Sequence, residues 1–350
     1  MNKRKQKILV TGGAGYIGSH AIIELIDAEY DVISIDNFSN STKDTFTRIK
    51  KITGVSVRNY VGDVADVALL ERVFKKEKHI DGIIHFAALK SVPESVADPI
   101  RYYENNIGSL FSIISFAKKH NITQFVFSSS AAVYGDITKL PVNEKTPLAP
   151  PASPYGATKV MGEMMLRDIA HASPELKIAM LRYFNPIGAH TSGMLGELPL
   201  GAPANLAPII IEAASSVRKN VTIFGNNYST RDGTCIRDYI HVSDIARAHV
   251  DALRFLQKQK NCCEIFNLGS GKGVTVLELI QAFEKVTEIV VPVTIGKRRA
   301  GDMAAIYSDC RKAKKMLGWV PRFSIQEAMQ SAWQWHLNLV SKKPSKRALK

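Results

Sequence analysis

At 350 residues, the chain exceeds the usual size of one domain, so we expect two lobes. Its 45% apolar and 22% charged content is that of an ordinary globule, and no apolar stretch approaches the roughly 18 residues of a membrane span. The net charge of +14 is concentrated at the ends: residues 1–7 carry four Lys or Arg and residues 341–350 carry five, which leaves +5 for the body. Short basic ends are usually solvated, so we expect neither a nucleic-acid nor a membrane partner.

The cysteines indicate a reducing environment. Cys235, Cys262, Cys263 and Cys310 show no CxxC spacing, and the adjacent pair cannot form an ordinary disulfide. We therefore expect no metal site and no disulfide framework. The basic N-terminus runs directly into the apolar residues 8–10, without the longer apolar segment of a cleavable signal. These features predict a cytoplasmic protein.

The first half of the chain alternates short apolar runs with helical stretches. The runs are short and mostly apolar, as expected of parallel strands covered on both faces, and they span residues 8–10, 32–35, 59–61, 82–86, 125–127 and 178–181. This alternation predicts an α/β fold with a doubly wound parallel sheet of the Rossmann type. Residues 264–268 are a candidate for a further strand of the same sheet.

The composition of the sequence changes after residue 185. Residues 186–208 contain four prolines and several glycines, which predicts a long functional loop. Short strands at 221–224 and 292–295, with helices at 277–285 and 325–339, predict a smaller mixed α/β lobe. The expected division is a main domain of residues 1–185 plus about 235–270, a second lobe of about 186–234 and 271–340, and a basic tail at 341–350.

A glycine-rich turn follows the first predicted strand, with Gly12, Gly15 and Gly18 in GxxGxxG spacing. Glycine permits a tight turn and close backbone approach, and the next helix offers its N-terminal amides to a pyrophosphate. Asp36 ends the second strand, where a carboxylate accepts ribose hydroxyls and repels a 2′-phosphate. No arginine follows it, so the pattern favours NAD over NADP; Asp63 could reach the adenine amino group. A tight turn that binds nothing, flanked by ordinary strand-end and turn aspartates, is the alternative.

A YxxxK pair and three serines indicate chemistry on a hydroxyl group. Tyr155 and Lys159 are four residues apart, so on a helix they share a face. A neighbouring ammonium favours the phenolate, which lowers the pKa of a tyrosine from about 10 toward a working pH. Ser130 ends the strand that contains Ser128 and Ser129, where its hydroxyl could hold the same substrate oxygen. With a dinucleotide turn upstream, the pattern predicts hydride chemistry on an alcohol.

Eight motifs extend this pattern along the chain. In order they are TGGAGYIGSH (11–20), HFAALK (85–90), SSSAAVYG (128–135), SPYG (153–156), LRYFNP (181–186), VTIFG (221–225), RDYIHV (237–242) and RRAGD (298–302). They resemble the extended short-chain dehydrogenase/reductase family and, within it, the UDP-sugar 4-epimerases. The resemblance covers roughly residues 7–340 and omits only the basic ends.

The resemblance implies an NAD-dependent isomerase that interconverts UDP-galactose and UDP-glucose through a 4-keto sugar, as a homodimer. It implies a catalytic group of Ser130, Tyr155 and Lys159. The implied NAD contacts, besides Tyr155 and Lys159, are Gly12, Gly15, Tyr16, Ile17, Gly18, Asp36, Asn37, Asp63, Val64, Phe86, Lys90, Asn105 and Tyr183. The implied UDP-sugar contacts, besides Ser130, are Asn185, Asn205, Leu206, Phe224, Arg237, Arg299, Asp302 and Ile306. The guanidinium groups of Arg237 and Arg299 suit a diphosphate.

Two positions depart from the family pattern. The family often has a sugar-contacting threonine where this chain has Ala132. Some relatives have a tyrosine that narrows the pocket around the sugar 2-substituent where this chain has Ile306. Isoleucine is smaller, so we expect that N-acetylated UDP-sugars are accepted as well. A UDP-N-acetylglucosamine 4-epimerase or a dual-specificity epimerase is therefore the alternative.

Other functions remain as competing hypotheses. Dehydratases and many decarboxylases of the family carry a carboxylate after the serines, whereas this chain has Ala131 and Ala132. A non-catalytic NAD-sensing module would not need an intact Ser/Tyr/Lys group. A nucleic-acid binder rests on charge alone. The sequence does not choose between galactose use and polysaccharide synthesis.

Overall fold

The computed structural model describes residues 4–299 and 302–341. Residues 342–350, most of the predicted basic tail, lie outside this range. The strands are β1 (Lys7–Thr11), β2 (Asp31–Asp36), β3 (Arg58–Val61), β4 (Gly82–His85), β5 (Gln124–Ser130), β6 (Lys177–Tyr183), β7 (Asn185–Ile187), β8 (Val221–Phe224), β9 (Ile236–His241), β10 (Cys263–Leu268), β11 (Gly273–Thr275) and β12 (Val293–Gly296). The helices are α1 (Tyr16–Asp27), α2 (Asp44–Thr53), α3 (Val67–Glu77), α4 (Val92–Ala97), α5 (Pro99–Lys119), α6 (Pro154–Ala172), α7 (Leu206–Ala214), α8 (Val242–Gln257), α9 (Val276–Thr287), α10 (Arg311–Leu317) and α11 (Ile325–Val340).

Seven parallel strands form the main sheet, in the order β10-β6-β5-β4-β1-β2-β3. The chain runs outward from β1 in one direction and returns to β4 on its other side. This reversal defines a crevice at the carboxyl ends of β1 and β4, where doubly wound sheets bind ligands. All six strands predicted for the first half lie in this sheet, and so does the strand predicted at 264–268. The Rossmann-type fold is confirmed.

Helices cover both faces of the main sheet with apolar side chains. One face packs β-strand residues such as Ile8 and Val10 against α1 and α8, and the other packs Leu9 and Ile33 against α3 and α5. Successive residues of one strand thus enter opposite layers, which explains the mostly apolar runs in the sequence. β3 is the exception: it is one of the two edge strands, and its end residues Arg58 and Val61 are exposed.

Two small sheets accompany the main one. β11, β9 and β7 form a three-stranded sheet, and β12 pairs with β8 in parallel. Their core joins α7, α9 and α11 through residues such as Ile210, Phe283 and Met329. The strand predicted at 292–295 begins one residue later, at Val293, because Pro292 precedes the first paired residue. Among the described residues, no helix is both long and apolar enough to cross a membrane.

Candidate active site

The glycine turn lies in the crevice between β1 and β4, and close packing requires glycine at two of its positions. Gly12 has a φ of +72°, and a Cβ there would lie 2.9 Å from the backbone nitrogen of Ala87. A Cβ on Gly18 would lie 2.3 Å from the carbonyl oxygen of Gly12. Gly15 caps α1 without a side-chain hydrogen bond, so no side chain occupies the helix amides. This cradle fits the pyrophosphate of a dinucleotide.

Asp36 is buried at the end of β2, beside the turn. Its Oδ2 accepts a hydrogen bond from the backbone nitrogen of Ala14 at 2.9 Å. Its Oδ1 accepts from the backbone nitrogen of Phe38 at 2.8 Å and from Ser41 Oγ at 2.9 Å. A carboxylate has about four acceptor sites, so one remains for a ribose hydroxyl. Asp36 therefore braces the turn as well, a role that the sequence did not indicate.

The other proposed dinucleotide contacts lie around this crevice, each held by its own local contacts. Asn37 Nδ2 lies 3.5 Å from Asp63 Oδ2, beside the buried Val64. The Tyr16 hydroxyl donates to the carbonyl oxygen of Gly188 at 2.6 Å. The remaining positions are Ile17 on α1, Phe86, whose ring centre lies 4.6 Å from that of His249, Lys90 after β4, Asn105 on α5, and Tyr183, whose hydroxyl lies 2.6 Å from His249 Nε2.

The structure brings Ser130, Tyr155 and Lys159 together at the carboxyl edge of β5. Ser153 caps α6 by accepting from the backbone nitrogen of Gly156, and Pro154 begins the helix, so Tyr155 and Lys159 lie in its first turns. Lys159 Nζ donates to the carbonyl oxygen of Ser128 at 2.8 Å and lies 5.9 Å from the Tyr155 ring centre. The Ser130 hydroxyl accepts from the backbone nitrogen of Ala132 at 3.2 Å, which leaves its proton free to donate.

Burial controls the protonation of this group. Burial raises the pKa of Tyr155, and its hydrogen bond with Ser130 opposes that rise. The sequence predicted that Lys159 would lower this pKa; instead burial outweighs the lowering effect, which comes from Ser130. Burial also lowers the pKa of Lys159 to about 8, against an upward effect of Glu163. Burial therefore favours the neutral forms of both Tyr155 and Lys159.

Four of the proposed UDP-sugar residues form two contacting pairs, Arg299 with Phe224 and Arg237 with Asp302. The Arg299 guanidinium carbon lies 3.7 Å from the centre of the Phe224 ring. Arg237 donates to the carbonyl oxygen of Met303 at 2.8 Å and forms a 3.4 Å ion pair with Asp302. Arg299 is held by an aromatic ring and Arg237 by a carboxylate, so each offers an oriented guanidinium group to a diphosphate. Asn185 is exposed at the start of β7, Asn205 caps α7, and Leu206 is its first residue.

Ile306 lies in a separate apolar cluster. It is 4% exposed and packs in one cluster with Val133, Tyr134 and Phe184. Its backbone nitrogen donates to the carbonyl oxygen of Ile236 at 3.1 Å, next to Arg237. The side chain is thus enclosed by its neighbours.

A buried ion pair beneath the catalytic group was missed by the sequence analysis. Glu163 accepts from Arg182 at 2.8 Å and 2.6 Å, and Ser129 Oγ donates to the same carboxylate at 2.6 Å. Both charged side chains are 1% exposed. This network ties α6 to β5 and β6 directly behind Ser130 and Lys159. The spacing of Glu163, one turn after Lys159, was the signal available in the sequence.

A glycine cradle at the reversal point of a doubly wound sheet, with a Ser-Tyr-Lys group at the carboxyl edge, defines an extended short-chain dehydrogenase/reductase. Residues 9–332 match the family model described as GDP-mannose 4,6 dehydratase. The UDP-glucose 4-epimerase of Pasteurella multocida is 46% identical over 328 residues, which cover 94% of this chain and 96% of that one. The chain therefore belongs to this family and, within it, to the UDP-glucose 4-epimerases.

Solved structures agree with this assignment. The UDP-glucose 4-epimerase of Bifidobacterium longum, solved in complex with NAD+ and UDP, is 47% identical with a TM-score of 0.91, covering 95% of this chain and 98% of that one. The UDP-Glc/GlcNAc 4-epimerase of Campylobacter jejuni is 37% identical with a TM-score of 0.82, covering 95% of this chain and 99% of that one.

Proposed function

We propose that the protein is an NAD-dependent UDP-sugar 4-epimerase that interconverts UDP-galactose and UDP-glucose. The observation that carries the proposal is the convergence of Ser130, Tyr155 and Lys159 beside the glycine cradle. Relatives that match nearly the whole chain are UDP-glucose 4-epimerases, and one was crystallised with NAD+ and UDP. The N-acetyl-specific alternative is not favoured by these relatives.

In the proposed mechanism, the phenolate form of Tyr155 takes up the proton of the sugar 4-hydroxyl and later returns a proton to the same oxygen; the positive charges of Lys159 and, when bound, of NAD would favour that form. Ser130 donates a hydrogen bond to that oxygen, and Lys159 stabilises the phenolate when Tyr155 has lost its proton. NAD, when bound, supplies the redox chemistry by accepting hydride from carbon 4 and giving it back. Arg237 and Arg299 hold the diphosphate, so the 4-keto sugar can turn and present its other face while the nucleotide stays in place.

The 3₁₀ turn after the serines argues against elimination chemistry. It runs from Ala131 to Tyr134 and contains no carboxylate. A dehydratase needs an acid at that point to move a proton at the neighbouring carbon. The family model is described by a dehydratase, but this turn lacks the residue that such a reaction would use.

The direct test is to incubate the purified protein with UDP-galactose and to identify the product. We expect UDP-glucose to form without added NADH and without its accumulation. A dehydrated product, or turnover that consumes a nicotinamide cofactor, would contradict epimerisation. An epimerase of this kind takes part either in galactose use or in polysaccharide synthesis. We propose that it is cytoplasmic, because its four cysteines form no disulfide and thus suit a reducing compartment.

Acceptance of N-acetylated sugars is a prediction about Ile306. We expect wild type to convert UDP-N-acetylglucosamine as well as UDP-glucose, and Ile306→Tyr to lose the first activity more than the second. The reason is that a tyrosine ring would narrow the pocket around the sugar 2-substituent. A close-packed pocket rejects added bulk, here the acetamido group, at a cost of roughly 1–3 kcal/mol. Rates with both substrates provide the measurement, with Ile306→Val as the control. If wild type has no N-acetyl activity, or Ile306→Tyr keeps it, Ile306 is not the gate.

The α5–α6 pair is proposed as the interface of a homodimer. α5 packs against α6, and both leave large apolar side chains in water: Phe111 is 60% exposed and Met164 is 58% exposed. Exposed apolar groups on neighbouring helices are typical of interaction surfaces. We expect light scattering to give a dimer mass at micromolar concentration and Phe111→Asp to give a monomer. Val290→Asp changes an apolar residue elsewhere that is 83% exposed, and it should leave the dimer intact. A monomeric wild type would refute the interface.

A further inference from the structure

The carboxylate of Glu197 lies between the two proposed ligand sites. Its Oε1 accepts a hydrogen bond from Asn205 Nδ2 at 2.7 Å and lies 3.3 Å from Lys90 Nζ. Lys90 belongs to the loop after β4, on the dinucleotide side, and Asn205 caps α7, on the UDP side. The Glu197 side chain is 13% exposed, whereas that of Lys90 is 50% exposed, so the carboxylate is mostly buried and the ammonium reaches it from the solvent side. One oxygen atom thus joins a residue of each site.

The backbone around Glu197 is anchored to α11. Trp335 Nε1 donates to the carbonyl oxygen of Glu197 at 2.9 Å, and Asn338 Nδ2 donates to that of Gly193 at 2.9 Å. A Cβ on Gly196 would lie 2.6 Å from the Trp335 ring, so the chain passes directly over the indole. Residues 188–205 contain no helix and no strand. The backbone that carries the Glu197 carboxylate is therefore anchored to α11, within an otherwise irregular segment.

We propose that Glu197 couples the two ligands, so that UDP bound beside Asn205 strengthens the retention of NAD beside Lys90. The inference rests on the proposed function for the placement of the two ligands. Glu197 is a positioning residue, because it acts through Lys90 and Asn205 and its role does not require contact with the reacting atoms.

The donors themselves leave room for ligands. An ammonium has three N–H donors and an amide nitrogen has two, so Glu197 occupies one of each and directs the others. A ligand on either side restricts the shared carboxylate, on its anchored backbone, to the position that suits both Lys90 and Asn205. The second ligand then meets donors that are already oriented and loses less conformational entropy on binding. The coupling is reciprocal, so NAD strengthens UDP binding by the same factor.

The experiment measures NAD release from the holoenzyme, with and without saturating UDP. Released NAD is trapped enzymatically, and the rate without UDP divided by the rate with UDP is the ratio that reports the coupling. We expect UDP to slow release by about 5- to 150-fold in wild type, the usual range of coupling between sites. Glu197→Leu should bring the ratio close to one. Glu197→Gln keeps the size of the side chain and removes its charge; as the variant more certain to fold, it should lower the ratio several-fold.

Glu212→Gln is the matched control, because Glu212 also holds a cation, Arg218, at 3.0 Å but contacts neither site. Its ratio should equal that of wild type. A merely structural role of Glu197 would raise NAD release by the same factor with and without UDP, leaving the ratio unchanged, and that result would overturn the inference. Calorimetry of UDP binding separates the two proposals: a wild type that binds UDP with a ratio of one refutes the coupling alone, whereas a wild type that binds no UDP refutes the proposed function.

Discussion

Tyr155→Phe is expected to lower kcat for UDP-galactose by at least the roughly 100- to 10,000-fold that is typical of a lost general acid or base. The substitution removes one oxygen atom and keeps the ring beside Lys159 and Ser130. UDP affinity should change little, because the proposed diphosphate anchors, Arg237 and Arg299, lie on other elements. The measurements are initial rates at saturating substrate and UDP affinity by calorimetry.

Tyr30→Phe is the control for this prediction. The Tyr30 hydroxyl accepts from Gln257 Nε2 at 3.0 Å, between α1 and β2 and away from the catalytic group. It should keep wild-type activity. If Tyr155→Phe keeps near-normal turnover, Tyr155 does not move the proton and the assignment of the catalytic group is wrong.

The second large effect is expected from breaking the Glu163–Arg182 pair. Glu163→Leu leaves the guanidinium of Arg182 buried without its partner carboxylate, which typically costs about 3–5 kcal/mol. The free energy of unfolding, measured by urea titration, should fall by that amount. Activity at temperatures where the variant is folded should fall too, since the carboxylate ties α6 to the strand that carries Ser130.

The double variant Glu163→Leu/Arg182→Met tests the reason for this effect. It removes both charges and fills the space with apolar atoms, so it should recover much of the lost stability. Arg101→Met breaks an exposed pair with Glu94 and should change stability little. A double variant that is as unstable as the sum of its two single variants would show that lost packing, and not an uncompensated charge, is the cause.

The placement of Tyr155 beside Lys159 and the geometry of the glycine turn could be predicted because their signals are local; their catalytic and cofactor-binding roles stay predictions. Tyr155 and Lys159 are one helical turn apart, and Gly12 and Gly18 meet within a single strand–turn–helix unit, so a short window contains each arrangement. Short, mostly apolar runs likewise identify buried parallel strands. Such a run does not say where its strand lies in the sheet: the predicted strand at 59–61 became the exposed edge, β3, because no further strand covers it.

The protonation of the site could not be read from spacing. The sequence places an ammonium near Tyr155, but the pKa of the phenol depends on how much water the fold removes and on which groups replace it. In the structure, burial raises that pKa and Ser130 lowers it, although the two residues are distant in the chain. Asp36 shows the same limit, since three donors of this chain already occupy a carboxylate that the sequence left free for the ribose.

The sequence by itself determined the class of fold, the glycine turn and the Tyr155–Lys159 pair, because backbone sterics and helical periodicity act over a few residues. Only the tertiary structure decided which acidic side chains lie beside the proposed site and which cations they pair with. Glu197 meets Lys90 across 107 residues of chain, and Glu163 meets Arg182 across 19, through contacts that exist once β4, α6 and β6 pack together. Such contacts depend on the path of the whole chain and on burial that removes competing water, and no local pattern of residues encodes either.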